Sequence, residues 1–230
     1  MAMFCGAEGN KFIFTNDNKL VFPWFPKSLS LVLFAEFFEN SSRKLSTPRR
    51  RFQYNSLKHE VLKQYIPVIP VIDQTAREHI EKEWAPNQEV KVLPPMKKYT
   101  FSLACFIFMN IAEAEKIKKL ADPFDIVSKG LRLSLPINLP GFAFKGAIKA
   151  AKVVREQLVK IMRERKEELM KNKGKEVQPD SLTQMLLYTD EDGQFMSEIE
   201  IGINIMGLLL AKYESTSNHG SPYLERRGSV

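Results

Sequence analysis

Apolar residues recur at helical spacing along most of the chain. Between residues 57 and 84 this periodicity predicts an amphipathic helical region. Pro67 and Pro70 interrupt the region, because a proline in a helix interior removes a hydrogen bond and clashes with the preceding turn. The part after the prolines is the more regular one, with apolar residues at intervals of four: Ile72, Ala76, Ile80 and Trp84.

Three more helices are predicted between residues 99 and 173. Tyr99 to Ile111 is apolar on every side, as expected of a helix inside the protein, and it is shorter than the roughly 20 residues that a bilayer requires. Glu113 to Gly130 forms the next. A long basic helix follows from Lys145 to Lys173, and its apolar stripe comprises Ala147, Ile148, Ala151, Val154, Leu158, Ile161 and Met162.

The last predicted helix begins with a clear signal. Ser197 and Glu200 in "SEIE" match a capping box, in which the serine oxygen accepts a backbone N–H and the glutamate reaches back. The helix runs into "AKYESTS", Ala211 to Ser217. Gly220 and Pro222 should prevent its continuation, so we expect residues 218–230 to form a disordered tail.

Other segments predict less regular structure. Phe12 and Phe14 alternate with other residues before the turn-forming "TNDN", which suggests a short strand that leads into a helix. "EDGQF", residues 191–195, is a turn. The connector from Leu131 to Phe144 is apolar and rich in proline, and exposed apolar loops of this kind usually meet a membrane, a partner or a substrate.

Charge and composition narrow the possible functions. The net charge is +7, and the stretch from Lys145 to Lys173 holds ten Lys or Arg against four Glu, an excess of 10 − 4 = +6. One helix with a solvated basic face therefore explains the charge without a nucleic-acid partner. Cys5 and Cys105 are far apart, and the three histidines are scattered. We expect neither a disulfide framework nor a metal site.

The segment "AKYESTS" has two readings from its residues. It can mark the point where an apolar helix emerges into water. Alternatively, the helix continues inside a larger protein, where a buried acid beside a hydroxyl group is costly and must serve a purpose.

A family resemblance bears on this choice. The chain resembles plant cytochrome P450 monooxygenases, most closely the terpenoid oxidases that act on β-amyrin-type triterpenoids and on taxanes. The resemblance rests on six segments in order: "MFCGAEGNKFIFTNDNKLV", "EVLKQYI", "REHIEKEW", "KKYTFSLACFIF", "LPINLPGFAFKGAIKA" and "MLLYTDEDGQFMSEIEIGINIMGLLLA". It implies a mainly α, partial cytochrome P450 fold over residues 1–217, with a small N-terminal β-element, ending within the central oxygen-binding helix. Residues 218–230 would lie outside the family domain.

The resemblance also implies a site. Ala211 and Lys212 would lie on the haem and oxygen face of the central helix, at two positions where small residues let the helix bulge. Glu214, with Ser215 and Thr216, would relay protons during oxygen activation. Ser215 stands where the family has Thr, and Lys212 stands where it has a small residue, so its long cation would obstruct the oxygen pocket.

Several family features have no match in these 230 residues. The haem loop Phe-x-x-Gly-x-Arg-x-Cys-x-Gly, which supplies the axial cysteine, is not found, nor is the Glu-x-x-Arg helix or the N-terminal membrane anchor. The resemblance implies haem-propionate ligands in the Arg43 to Arg51 region, where Arg49, Arg50 or Arg51 would serve. The implied partners are NADPH–cytochrome P450 reductase, a hydrophobic terpenoid and the cytosolic face of the endoplasmic reticulum membrane.

The expectation from sequence is therefore a haem-thiolate monooxygenase family member whose present chain is inactive by itself. An alternative is a non-catalytic, basic helical protein that binds a membrane or a partner through the Leu131 to Phe144 connector and the helix after it. A third possibility is a pseudogene-like fragment that yields no stable protein.

Overall fold

The computed structural model describes residues 3–17, 19–21, 32, 66–85, 92–133, 139, 141–171, 180–189 and 193–227. From residue 214 onward it describes the backbone alone. The basic region around Arg49, Arg50 and Arg51 lies outside the described residues, as do residues 134–138 and 140 of the 131–144 connector.

The described structure is mainly α-helical, as predicted. Its elements in chain order are α1 (Gly6–Thr15), a 3₁₀ turn (Ile66–Val68), α2 (Ile69–Glu83), α3 (Leu93–Met109), α4 (Ala114–Leu133), α5 (Ala143–Lys171), α6 (Ser181–Leu187) and α7 (Glu198–Arg227). The predicted helices in the 72–84, 99–111, 113–130 and 145–173 regions, and the one starting near Ser197, are confirmed with shifts of a few residues at their ends.

Prolines mark the starts of α2 and α3. Pro70 lies in the first turn of α2, directly after the 3₁₀ turn. The predicted helical stretch before Pro67 lies outside the described residues, so its interruption stays a prediction. Pro94 and Pro95 lie in the first turn of α3, where a missing N–H costs nothing because no intrahelical partner is available there. α3 ends at Asn110, whose φ of 50° is left-handed, a conformation that asparagine tolerates.

The core lies where α3, α4, α5, α6 and α7 meet. Its largest fully buried side chains come from all five helices and include Phe101, Met109, Leu120, Phe124, Phe144, Leu182, Met185, Ile201, Ile205, Met206 and Leu209. The prediction that the apolar helix around Tyr99 to Ile111 is internal is therefore confirmed.

α4 and α5 pack closely along their lengths. Ala147, Ala151 and Val154 in the predicted stripe of α5 are fully buried. Gly130 of α4 lies against this stripe, and a Cβ atom added to it would stand 2.3 Å from the Cβ of Ala147. Only a glycine therefore fits here, because a methyl group at that distance would force the helices apart.

α7 begins with the predicted capping box. The Glu200 N–H donates to Ser197 Oγ at 3.2 Å, and the Ser197 N–H donates to Glu200 Oε2 at 2.8 Å. The prediction that the helix ends near Ser217 is wrong, since the backbone remains helical to Arg227. Pro222 removes one hydrogen bond from such a helix, but its own φ is compatible with helical geometry.

The N-terminal prediction is also wrong in detail. The stretch around Phe12 and Phe14 is part of helix α1, where a strand was expected. Two alternating positions are too few to distinguish a period of two from a helical period. β-structure among the described residues consists of isolated bridges, Asp17 with Val21 and Thr189 with Phe195. The second bridge closes the predicted turn, in which Gly193 has a φ of +75°.

Candidate active-site helix

The exposed face of α7 carries two of the residues that the sequence assigned to a haem face. Ala211 and Lys212 are both exposed, whereas the six consecutive residues from Ile201 to Met206 are all buried. Residues 201–206 of the helix are thus enclosed by its neighbours, whereas within the described structure the helix has an exposed face at Ala211 and Lys212.

The segment with the expected acid and alcohol follows directly. The backbone at Glu214, Ser215 and Thr216 is helical, but their side chains lie outside the described part, so their proton-relay roles remain a prediction. The resemblance implied a bulge at the two small positions. From Glu198 to Arg227, where the backbone is described throughout, the helix is α-helical at every residue. Lys212, which is not small, removes one of the two positions that would allow a bulge.

Tyr213 lies on the opposite side of the helix from this exposed face. Its side chain is 5% exposed. Its hydroxyl donates to Asp125 Oδ1 of α4 at 2.8 Å. Its ring meets Phe101 and Phe124 edge-on, with centroids 5.8 and 5.6 Å away. The helix that carries the candidate site is therefore fastened to α3 and α4 directly before Glu214.

Asp125 is the charged centre of this contact. Its second carboxylate oxygen pairs with Lys129 at 2.5 Å, and the Lys97 ammonium lies 4.9 Å from the centroid of the Tyr213 ring. Burial opposes ionisation of Asp125, but the hydrogen bonds from Lys129 and Tyr213 and the charges of Lys129 and Lys97 outweigh it, so the pKa of this carboxyl lies below its usual range. The tyrosine hydroxyl consequently meets a carboxylate at neutral pH.

A second polar network lies at the other end of the helical core. Arg165 of α5 donates to Asp180, to Thr183 Oγ1 at 2.7 Å and to the Met109 carbonyl at 2.8 Å. Asp180 is also the N-cap of α6, since its Oδ1 accepts from the Thr183 N–H at 2.7 Å. These contacts join α5, α6 and the end of α3.

Neither cysteine is placed to serve as an axial haem ligand. Cys105 is fully buried within α3, and burial raises the pKa of its thiol to about 12, so it is protonated at neutral pH. Cys5 is exposed and precedes α1. The residues present therefore do not supply the thiolate that the haem chemistry requires.

A cavity of about 590 Å³ lies between α2, α3 and α4, away from the candidate site. Its wall is largely apolar, with contributions from Val71, Leu103, Phe106 and Ile117. Among the described side chains of the candidate site, neither Ala211 nor Lys212 lines it. Among the described residues, no His, Cys, Asp or Glu cluster could hold a metal ion, and none of the described helices is long and apolar enough to span a bilayer.

Comparison with known proteins decides the family. The family model for cytochrome P450 matches residues 12–220. The chain belongs to the cytochrome P450 family. Its residues are 46% identical to β-amyrin 6-β-monooxygenase of Solanum lycopersicum and 41% identical to β-amyrin 28-monooxygenase of Kalopanax septemlobus, over 94% of this chain in both cases. The matched regions cover 45% and 44% of those relatives, so the chain spans less than half of their length.

A solved cytochrome P450 structure confirms the fold. Retinoic acid-bound cyanobacterial CYP120A1 matches 92% of this chain and 46% of its own, with a TM-score of 0.74 and 25% sequence identity. The partial cytochrome P450 fold expected from the sequence is therefore confirmed. The boundary between a family domain ending at 217 and a tail of residues 218–230 stays a prediction.

Sequence reasoning missed Tyr213 and Arg165 as important residues of this cytochrome P450 chain. The resemblance assigned no role to Tyr213, and its partner Asp125 is 88 residues away. Arg165 was counted only as one charge of a basic helix. A tyrosine in the middle of an apolar helix, which needs a partner for its hydroxyl when buried, was the available signal for Tyr213.

Proposed function

We propose that these residues form part of a haem-thiolate monooxygenase that oxidises a hydrophobic triterpenoid of the β-amyrin type. Dioxygen and electrons from NADPH–cytochrome P450 reductase are its co-reactants. The names of the relatives support the substrate class, because several specify β-amyrin. They differ in the position that they specify, 6-β or 28, so the skeleton is proposed and the oxidised carbon is left open.

The observation that carries the proposal is the uncovered face of α7. Ala211 is exposed there, and residue 215 is four positions further along, which places it on the same face of an α-helix. Haem supplies the oxygen-activating chemistry when it is bound. On this proposal, Glu214 and Ser215 move protons at the edge of that face, a task for which a positioned acid and hydroxyl are suited.

The thiolate must be supplied by sequence other than these 230 residues. Cys105 and Cys5 do not fit, as described above. We therefore expect the 230-residue chain, when mixed with haem, reduced and exposed to carbon monoxide, to give no thiolate-type Soret band. Such a band from the isolated chain would show that one of its own cysteines binds iron and would refute this part of the proposal.

A hybrid enzyme tests the function itself. Residues 12–220 replace the matching segment of the tomato β-amyrin 6-β-monooxygenase, which retains its own remaining sequence, and the hybrid is expressed with a plant reductase and β-amyrin. We expect low turnover with Lys212 in place, because a lysine on the exposed face beside Ala211 lies where the family has a small residue. The Lys212→Gly hybrid should hydroxylate β-amyrin at a clearly higher rate.

The matched control is Lys166→Gln in the same hybrid. Lys166 is another partly exposed lysine and pairs with Glu198 at the start of α7, away from the candidate site. Removing its charge should not restore turnover. Replacement of Glu214 by Gln in the Lys212→Gly hybrid should then reduce kcat by about 10²-fold or more if the residue acts in proton transfer. Unchanged kcat would refute the relay assignment.

The membrane location expected from the family is part of the proposal. Leu139 and Phe142, two of the described residues between α4 and α5, are both exposed. We propose that this connector contacts the cytosolic face of the endoplasmic reticulum membrane. Flotation of the chain with neutral lipid vesicles tests this, and loss of flotation in the Phe142→Asp variant is expected.

The non-catalytic alternative has less support. It is a basic helical protein that binds a membrane or a partner through the Leu131 to Phe144 connector and the helix after it. Along α5, the positive charges of Lys152, Lys160 and Lys166 each pair with a glutamate within 4.0 Å. Such pairing reduces the field that α5 presents to an anionic surface. Strongly salt-dependent binding to anionic vesicles, with no binding to neutral ones, would favour this alternative.

A further inference from the structure

Tyr213 is the last described side chain of α7, and it precedes Glu214 directly. Moving from Tyr213 back along the helix, Leu209 and Met206 are also fully buried, at the spacings that define one helix face. Ala211 and Lys212 lie outside this stripe and are exposed. The rotation of α7 about its own axis thus decides which residues of the candidate site face outward.

Apolar contacts alone define that rotation loosely. Burial and dispersion have little directionality, so the contacts of Leu209 and Met206 specify this rotation less sharply than a hydrogen bond does. The hydrogen bond from Tyr213 to Asp125 is directional, with a length of 2.8 Å, and its acceptor is a carboxylate held by Lys129. It is the contact on this stripe that specifies an angle.

The surroundings of Tyr213 restrict it further. Phe101 of α3 and Phe124 of α4 meet its ring at interplanar angles of 89° and 77°, and they also contact each other. Lys97 lies over the ring. The ring and the hydroxyl are thus held from two helices.

We propose that Tyr213 is a positioning residue: its bond to Asp125 fixes the rotation of α7 at the proposed oxygen-activating segment, so that Ala211, Lys212 and position 215 lie on the outward face. This role rests on the proposed function, because the residues that Tyr213 positions are the ones to which that function assigns oxygen activation. Tyr213 itself takes no part in chemistry, because it lies on the opposite side of the helix.

Hydrogen exchange of the intact 230-residue chain, followed by mass spectrometry, tests the proposal. Tyr213→Phe removes the hydroxyl and keeps the ring contacts, so the variant should fold. We expect exchange at the amides of residues 211–217 to accelerate about tenfold, which corresponds to the loss of about 1.4 kcal/mol, a size typical of one net hydrogen bond. Exchange at residues 198–206 should remain as in the wild type.

A double-mutant cycle isolates the pair. Asp125→Ala alone should accelerate exchange at residues 211–217 by a similar factor, and the double variant with Tyr213→Phe should add no more, because each change removes the same bond. Asp125→Asn retains an oxygen that can accept the hydroxyl, so its exchange should stay within about threefold of the wild type. Lys166→Gln, which removes an ion pair at the far end of α7, should leave residues 211–217 unchanged.

Three results would overturn the proposal. These are acceleration of equal size along the whole of residues 198–217, additive effects of the two single variants, and equal effects of Asp125→Asn and Asp125→Ala. The measurement needs no haem. Failure of the hybrid enzyme would therefore count against the proposed function alone, whereas failure of the exchange test would count against the positioning role alone.

Discussion

The two polar networks of this chain differ in burial and in what they hold. The Arg165 network is nearly closed to solvent, with the side chains of Arg165 and Asp180 exposed by 11% and 5%. The Asp125 network is more open, since the side chains of Lys129 and Asp125 are exposed by 58% and 31%. The closed network joins α3, α5 and α6 away from the candidate site, and the open one fastens α7 beside it. We therefore expect the Arg165 network to contribute mainly to the stability of the fold and the Asp125 network to the position of α7.

The largest loss of stability is expected when the Arg165 network is broken. Asp180→Ala leaves the Arg165 guanidinium buried without its carboxylate and removes the N-cap of α6 at the same time. Removing one partner of a buried ion pair costs about 3–5 kcal/mol. Urea unfolding followed by circular dichroism should show this loss.

Glu168→Ala is the matched control for Asp180→Ala. Glu168 also pairs with Arg165, at 3.2 Å, but its side chain is 63% exposed. We expect a change of no more than about 1 kcal/mol. Equal losses from the two variants would mean that the buried and exposed contacts of Arg165 do not differ in strength.

The contribution of the Asp125 network to stability should depend on pH. The pKa of Asp125 is lowered in the folded chain, so its contribution to stability is present above the ordinary value of 3.8 and is lost as the pH falls through the lower folded value. The stability difference between the wild type and Asp125→Asn, measured by urea unfolding, should be constant from neutral pH to about pH 5 and should diminish below about pH 4. A difference that grows with acidity would contradict the assignment of Asp125 as the carboxylate partner.

A smaller effect is expected from Lys97→Met, which keeps the length of the side chain over the Tyr213 ring and removes its charge. A cation over an aromatic ring at a partly exposed site contributes about 0.5–1 kcal/mol. Lys98→Met is the neighbouring control, since Lys98 pairs with Glu83 of α2. If Lys97→Met costs no more than its control in urea unfolding, the ammonium does not support the Tyr213 contact.

The last prediction concerns the reactivity of Cys105, which lies on α3, the helix that both networks contact. Its buried thiol has a pKa raised to about 12, so iodoacetamide at neutral pH should label Cys5 and leave Cys105 unmodified. Peptide mass spectrometry reads both sites in one sample. Labelling of Cys105 at a rate similar to that of Cys5 would show that α3 is not held as described.

The helices were predictable because their signals are local. The capping box at Ser197 and the stripe along α5 depend on residues three or four positions apart. α1 was missed because its signal was short, and because the stacking of Phe4 on Phe12, with ring centroids 5.1 Å apart, is a contact that strand-like alternation does not indicate. The end of α7 was missed because Gly220 and Pro222 weaken a helix without always ending it.

The candidate site was predictable only in part. The family pattern assigns residues 211–216 to the candidate site, which stays a prediction, and the periodicity of α7 explains why Ala211 lies opposite Tyr213. The partners of Tyr213 and Arg165 were not predictable, because Asp125 lies 88 residues from Tyr213 and Met109 lies 56 residues from Arg165. Such contacts depend on how α3, α4, α5 and α7 pack together, which no local pattern contains.

The contact between Gly130 and Ala147 has a consequence for protein engineering. A single methyl group at position 130 would overlap Ala147, so α4 and α5 can approach this closely only because residue 130 has no side chain. Exchange of either helix for its counterpart from another protein would therefore succeed only when both halves of this contact are transferred together. Gly130 and Ala147 should therefore be exchanged as a pair, although they lie 17 positions apart along the chain.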